Sequence, residues 1–321
     1  MRVNRRSFLA ASGASATAAA WPDALQAAAM PIIDTHIHLF DTTRKEGVPW
    51  PEKTNKTLFQ PAMPDRYRKI TGPLGVVGAI KVEASPWVSD NQWVLDVAAK
   101  DKIIVGVIGN LDPGKPEFAK QLEGLHKNPL YLGIRYGNLW GRNLADELDK
   151  PEFRAGIKLL EQANLTLDSA NPTPSLIHAL LRLSDIAPKL RIVIDHLPQM
   201  PTPTDAAVLK SYQGHLQEFA KRPQVFVKLS EVFRKVNGEI PRDIGTYRAT
   251  LDSLYGVFGE DRVLYGSDWP NSDNWLPYPE VLGLVQKYFQ SKTPAQAEKY
   301  FWKNSVKAYR WVKRDASQPG A

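Results

Sequence analysis

From residue 30 onward, short β-branched apolar runs alternate with longer segments whose apolar residues recur every three or four positions. The short runs read as strands buried on both faces, the longer segments as amphipathic helices. The pattern predicts strands at 31–35, 76–82, 103–108, 131–135, 165–168, 191–195, 225–228 and 263–265. It predicts helices at 91–99, 117–126, 152–162, 174–186, 209–221, 244–258 and 278–290, and a mostly irregular stretch after the first strand with a short helix near 65–70. Strand–helix alternation implies parallel strands with right-handed crossovers. Eight of them favour a closed (β/α)8 TIM barrel, an α/β fold, over an open sheet. A last helix should start at Thr293-Pro294-Ala295-Gln296, which offers a Thr cap, Pro at the first helical position and Gln in the capping-box place. Its Tyr300, Phe301 and Val306 are expected to cover the barrel's flank. No repeat, low-complexity tract or linker divides residues 30–321, so a single domain is expected.

Residues 1–29 fall outside this pattern. Arg2, Arg5 and Arg6 precede a weakly apolar, Ala/Ser/Gly-rich run, and Ala27-Ala28-Ala29 offers small residues for cleavage. Asn4-Arg5-Arg6-Ser7-Phe8-Leu9 resembles a twin-arginine export signal, although Asn4 and Ala10 depart from it. The expectation is a cleavable signal peptide, a periplasmic or secreted protein, and no membrane attachment after cleavage. The formal charge of +7 includes +2 from this leader, which leaves +5 spread without a basic block. That argues against a nucleic-acid partner and leaves attraction to an anionic small molecule open. The absence of cysteine removes thiolate metal sites and cysteine nucleophiles.

In such a barrel the chemistry sits where the strands end. Strand one ends in Asp34-Thr35-His36-Ile37-His38, whose two histidines lie two apart and should face the same way. They can grip one metal ion or polarise one substrate. Strand two ends on Glu83, strand four on Arg135-Tyr136-Gly137-Asn138 and strand five on Asp168. Strand six ends on Asp195-His196, strand seven on Lys228-Leu229-Ser230-Glu231 and strand eight on Gly266-Ser267-Asp268-Trp269-Pro270. Each has a plain structural reading as well. Lys228 reads as a salt-bridge partner inside the barrel, Glu231 as a surface loop residue, and His126, His178 and His215, within helical patterns, as surface or packing residues. Trp50, Trp140, Trp269 and Trp275 either line a pocket mouth or pack.

Together these strand ends resemble the amidohydrolase superfamily, in its amidohydrolase-related group of sugar lactonases and the pyrone dicarboxylate lactonase. The resemblance implies that His36, His38, His196 and Asp268 form the catalytic core, with Asp268 as general base on water. Metal-rich members carry a histidine after strand five and often a lysine after strand four, where this chain has Asp168 and Arg135, so a two-metal centre is not expected. One divalent ion, zinc first, would be held by His36, His38 and Asp268 with Glu83; the pyrone lactonase likeness equally allows hydrolysis without metal. Arg135 and Arg142 offer planar forks for a substrate carboxylate or sugar oxygens. Tyr136, Asn138, Asp168, Trp269 and Lys228 complete the expected substrate contacts. The leading reading is an exported hydrolase of a small lactone or related cyclic ester. The alternatives are a non-oxidative decarboxylase of an aromatic or enoic acid, and an inactive barrel that only binds a small molecule.

Overall fold

The strands form in the predicted order, and each is buried along almost its whole length. They are β1 (Ile32–Ile37), β2 (Val76–Lys81), β3 (Ile104–Gly109), β4 (Tyr131–Arg135), β5 (Thr166–Asp168), β6 (Arg191–Ile194), β7 (Val225–Lys228) and β8 (Val263–Leu264). The structure, a computed structural model, describes residues 30–320; the expected signal peptide lies outside them. All seven neighbouring pairs are parallel, in the order β1 to β8. The seam between the last strand and the first is closed by backbone bonds. Thr35 donates to the Tyr265 carbonyl at 3.0 Å, Asp268 to His36 at 2.9 Å and His38 to Trp269 at 2.7 Å. The result is the eight-stranded barrel, and the compact unit begins at Pro31.

The helices are α1 (Pro64–Thr71), α2 (Ser89–Lys100), α3 (Phe118–His126), α4 (Leu144–Glu147), α5 (Pro151–Gln162), α6 (Pro174–Ile186), α7 (Ala206–Ala220), α8 (Gly245–Phe258), α9 (Tyr278–Phe289), α10 (Pro294–Glu298) and α11 (Asn304–Tyr309). The short α4 had no sequence signal. α10 starts in a complete capping box: Gln296 N–H donates to Thr293 Oγ1, and Thr293 N–H to Gln296 Oε1. A π-helical stretch, Lys299–Lys303, joins it to α11.

Two features position the site. The first is a slip in β1, where Asp34 to Ile37 spans three residues against two on β2. Such a bulge re-aims side chains at a strand end: Ile33 lies in the barrel core, yet His36, three residues on, also points inward. The second is the C-terminus. Tyr300 and Phe301 do pack on the flank, against Phe289 and Tyr265. The chain then turns under the barrel, and Ala308, Tyr309 and Trp311 join Ile33, Val105, Leu132, Val193, Phe226 and Leu264 in one buried cluster. The final segment is therefore a floor as well as a flank.

Candidate active site

Asp34, the first residue of the histidine motif, faces away from the barrel interior. It accepts hydrogen bonds from Tyr67 and Tyr278 hydroxyls, both at 2.9 Å, and from the backbone N–H of His36 and Ser267. It thus fastens β1 to the segment carrying Asp268. Gly266 is required on that segment, because a Cβ there would stand 2.8 Å from His36 Cβ.

His36, His38 and His196 converge on one atom. Their Nε2 atoms lie 3.4, 2.9 and 3.7 Å from Asp268 Oδ1. The other oxygen of Asp268 accepts from Asn271 Nδ2 at 2.7 Å. His38 Nδ1 is 3.1 Å from the Val82 carbonyl, and His196 Nδ1 is 2.7 Å from Ser230 Oγ. His196, Glu231 and Asp268 all take positive φ (53°, 48° and 61°), a conformation costly for side-chain-bearing residues and concentrated at functional sites.

Burial governs the charge states. It pushes His196 down to about 4 and His36 well below the usual imidazole range, with Lys228 adding to the effect on His36. Burial works against ionisation of Asp268, but the facing His196 and His38 outweigh it and hold the carboxyl well below its ordinary value. Glu231 goes the other way, raised well above its ordinary value by burial and by the carboxylate of Asp268.

Beneath these residues lies an ionic layer. Lys228 is fully buried between Asp168 Oδ2 at 2.7 Å and Asp195 Oδ1 at 2.9 Å, and its Nζ is 3.1 Å from His36 Nδ1. Tyr309, rising from the floor, donates to Asp168 Oδ2 at 2.7 Å. Arg135 Nε pairs with Asp195 Oδ2 at 3.0 Å and donates to the Ser169 carbonyl. The Lys228 ammonium and His36 hold Asp195 well below its ordinary value against burial, whereas burial raises Asp168 to about 6 despite Lys228.

A cavity of about 180 Å³ opens above. His38, Glu83, Arg135, His196, Glu231 and Asp268 line it, with Asn171, Gln199 and Asn271, the rings of Trp50 and Trp140, and Ala84 and Leu139. Several expectations change at this point. Asp168, Lys228 and Trp269 are fully buried and do not line the cavity. Lys228 takes the interior salt-bridge place instead, and Trp269 packs on Tyr67. Tyr136 is buried between Phe153 and the Arg142 guanidinium. Arg142 itself donates to Glu83 at 2.5 Å and does not line the cavity. Asn138 exchanges hydrogen bonds with Asn171, which does. Glu231, expected at the surface, is buried and lines the cavity. Gln199 and Asn271 had no sequence signal beyond following His196 and Asp268 closely.

Metal capacity can be judged from the donors. His36, His38 and Asp268 form one group able to hold an ion; His196, Glu231 and Asp268 form another, and His36, Asp195 and His196 a third. Glu83 belongs to none of these groups, and its carboxylate is engaged by Arg142. His36 Nε2 is buried without a hydrogen-bond partner. The Val82 carbonyl can only accept, so His38 carries its proton on Nδ1 and turns a lone pair toward Asp268 Oδ1 at 2.9 Å. Either a second proton on His38 or a metal ion between the two satisfies that contact. Imidazole nitrogen with carboxylate oxygen suits one divalent ion of the zinc type.

Residues 33–311 match the amidohydrolase family. The chain belongs to that family. It is accordingly a hydrolase that takes a small-molecule substrate. Over 242 residues it is 28% identical to an L-fucono-1,5-lactonase of Burkholderia ambifaria, covering 75% of this chain and 80% of that one. Among solved structures, an amidohydrolase from Burkholderia multivorans with bound zinc superposes with a TM-score of 0.74 at 21% identity, covering 88% of this chain and all of that one. A probable 2-pyrone-4,6-dicarboxylic acid hydrolase from Acinetobacter baumannii, with citric acid bound, does so at 0.68 and 18% over 88% and 100%. These two show that the fold is shared.

Proposed function

We propose that the enzyme hydrolyses a neutral, polyhydroxylated lactone. The observation that carries this reading is the chemistry of the cavity wall. Three carboxyl side chains (Glu83, Glu231 and Asp268) face one guanidinium, Arg135, whose Nε is already committed to Asp195. Three side-chain amides and two indole rings complete the lining. Carboxylates and amides pair with vicinal hydroxyls, and aromatic faces suit the C–H side of a sugar ring. A dianionic pyrone or an aromatic acid would find the nearby guanidiniums already paired, Arg135 with Asp195 and Arg142 with Glu83. The lactonase relative supports the same reading.

In the reaction, Asp268 accepts a proton as water attacks the ring carbonyl. Arg135 and His196 border the cavity where hydrogen-bond donors would stabilise the tetrahedral oxyanion. The bond from the carbonyl carbon to the ring oxygen then breaks, and the proton held by Asp268 passes to that oxygen. The product is the open hydroxy acid. A divalent ion, zinc first, would be held at Asp268, by His36 and His38 or by His196 and Glu231, and would supply Lewis acidity at the carbonyl or lower the pKa of water.

A panel of neutral sugar 1,5-lactones, pyrone dicarboxylates and aromatic acids tests this. Acid release from the neutral lactones, at least tenfold faster than from the anionic substrates, is expected. Carbon dioxide from an aromatic acid would replace the proposal with decarboxylation, and binding without turnover would make the barrel a receptor. Export by the twin-arginine route belongs to the same reading, on the strength of residues 1–29 alone, and predicts that Lys at Arg5 and Arg6 blocks it. No helix among the described residues is long and apolar enough to cross a membrane.

A further inference from the structure

His36 and His38 look interchangeable in the sequence, but their hydrogen bonding differs. Lys228 supplies the difference. An ammonium has three protons to give and no lone pair to receive. Two acceptors take its protons, Asp168 Oδ2 at 2.7 Å and His36 Nδ1 at 3.1 Å, and Asp195 Oδ1 at 2.9 Å adds an ion pair on the third side. Since all three groups are fully buried with Lys228, no solvent can substitute for any of them. A donor left unsatisfied in this layer would carry the full desolvation penalty of a charged group.

A proton on His36 Nδ1 would meet the ammonium head-on at 3.1 Å, with only Asp195 Oδ1, at 3.5 Å, in compensation. The lone pair therefore belongs on Nδ1 and the proton on Nε2. The nearest carboxylate to Nε2 is Asp268, whose Oδ1 lies at 3.4 Å. His38 is built the other way round, with its Nδ1 proton on the Val82 carbonyl and its Nε2 lone pair facing that same oxygen.

We propose that Lys228 locks His36 in the Nε2–H tautomer, opposite to that of His38, so that the Nε2 proton faces Asp268 and only His38 of the pair offers a lone pair to an ion. His36 and Lys228 are then positioning residues acting through Asp268. Two neighbours keep the lysine in place. Asp168 holds it and is itself held by Tyr309, while Asp195 holds it and is shared with Arg135. The floor of the barrel is thereby connected to the carboxylate that faces the cavity. This assignment does not depend on which substrate is hydrolysed or on whether an ion is required.

The test reads the tautomer directly. Protein labelled with ¹⁵N-histidine is treated with chelator, and ring nitrogen–proton correlations are recorded before and after addition of one equivalent of zinc chloride. The six histidines are few enough to assign, with His36→Gln identifying the signal in question. His36 is expected to carry its proton on Nε2 in both spectra. A proton on Nδ1 in either, or loss of the Nε2 proton when zinc is added, overturns the proposal. Lys228→Met supplies the second arm. With the ammonium gone, His36 should shift to the Nδ1–H form, facing Asp195, and the freed Nε2 should tighten zinc binding at least tenfold. An unchanged tautomer in a folded Lys228→Met protein also overturns it. If that variant fails to fold, the wild-type spectra still decide. Lactone turnover is measured separately, so failure of the lactonase reading leaves a distinct result.

Discussion

Asp268 occupies the left-handed backbone region, which asparagine tolerates better than most residues. Asp268→Asn therefore preserves conformation and shape while removing the ability to take a proton. Its kcat should fall about 10²–10⁴-fold with the circular dichroism spectrum unchanged. Activity within a few fold of wild type would remove Asp268 from the reaction. Arg135→Lys keeps a positive charge beside Asp195 but loses the planar fork. It should lower kcat/KM by about 1.5–3 kcal/mol with little change in melting temperature; the opposite pattern would make Arg135 scaffolding. Sequence could place both residues at strand ends, and it brought His36, His38 and His196 to the same face. Arg135 and Lys228 both close inward-facing strands, so it offered each as a substrate contact, with an interior salt bridge as the other reading of Lys228. Depth separates them: one lines the cavity and the other lies beneath it. The sequence could not show that Glu231 is buried beside His196, because a positive-φ turn just after β7 has no hydrophobic signature.

At the scale of elements, β2 ends on a buried Lys81. It borders a small gap with Arg44, Asp90 and Trp93, and burial lowers it to about 8. Its folded value lies below the unfolded one. Its contribution to stability is thus full above about 10.5 and lost as the pH falls toward about 8. Lys81→Met should stabilise the protein by about 1–3 kcal/mol at pH 7.5. The difference from wild type should vanish by pH 11 in urea unfolding curves. A variant less stable than wild type at pH 7.5 would show that Lys81 is paired after all. Below the site, Tyr309→Phe removes the hydroxyl bound to Asp168 and should cost about 1.5–3 kcal/mol. An unchanged urea midpoint would mean that water replaces the hydroxyl. The capping box of α10 was readable because it is local, running only from Thr293 to Gln296, and made of specific types. The bulge in β1 was not, since a slip against β2 exists only once both strands are side by side.

For the whole molecule, the alternation of eight apolar runs with helical periods was enough for the barrel, because that pattern repeats at every turn. What escaped was which residues would make the seam. The Thr35, His38 and Asp268 backbone bonds join segments from opposite ends of the chain, and no local pattern announces them. The site's burial also sets a global pH response. His196 is lowered to about 4, so its contribution is full above about 6.5 and lost as the pH falls toward 4. His196→Asn should accordingly lose less stability than wild type across that window, by up to about 3 kcal/mol. Parallel stability–pH curves for the two proteins would mean that His196 titrates alike in the folded and unfolded chains.

The chain turning under the barrel has a consequence in time. Ala308, Tyr309 and Trp311 complete a cluster begun by Ile33, and Arg314 and Gln318 bond to carbonyls at Ala98, Ile104 and Val77. During synthesis Ile33 emerges long before Trp311. Until residues 308–318 clear the exit tunnel, the nascent barrel has an open underside, with apolar strands exposed and Asp168 without its Tyr309 brace. A ribosome-stalled chain ending at residue 307 should therefore remain protease-sensitive where a chain carrying residues 308–320 outside the tunnel is resistant.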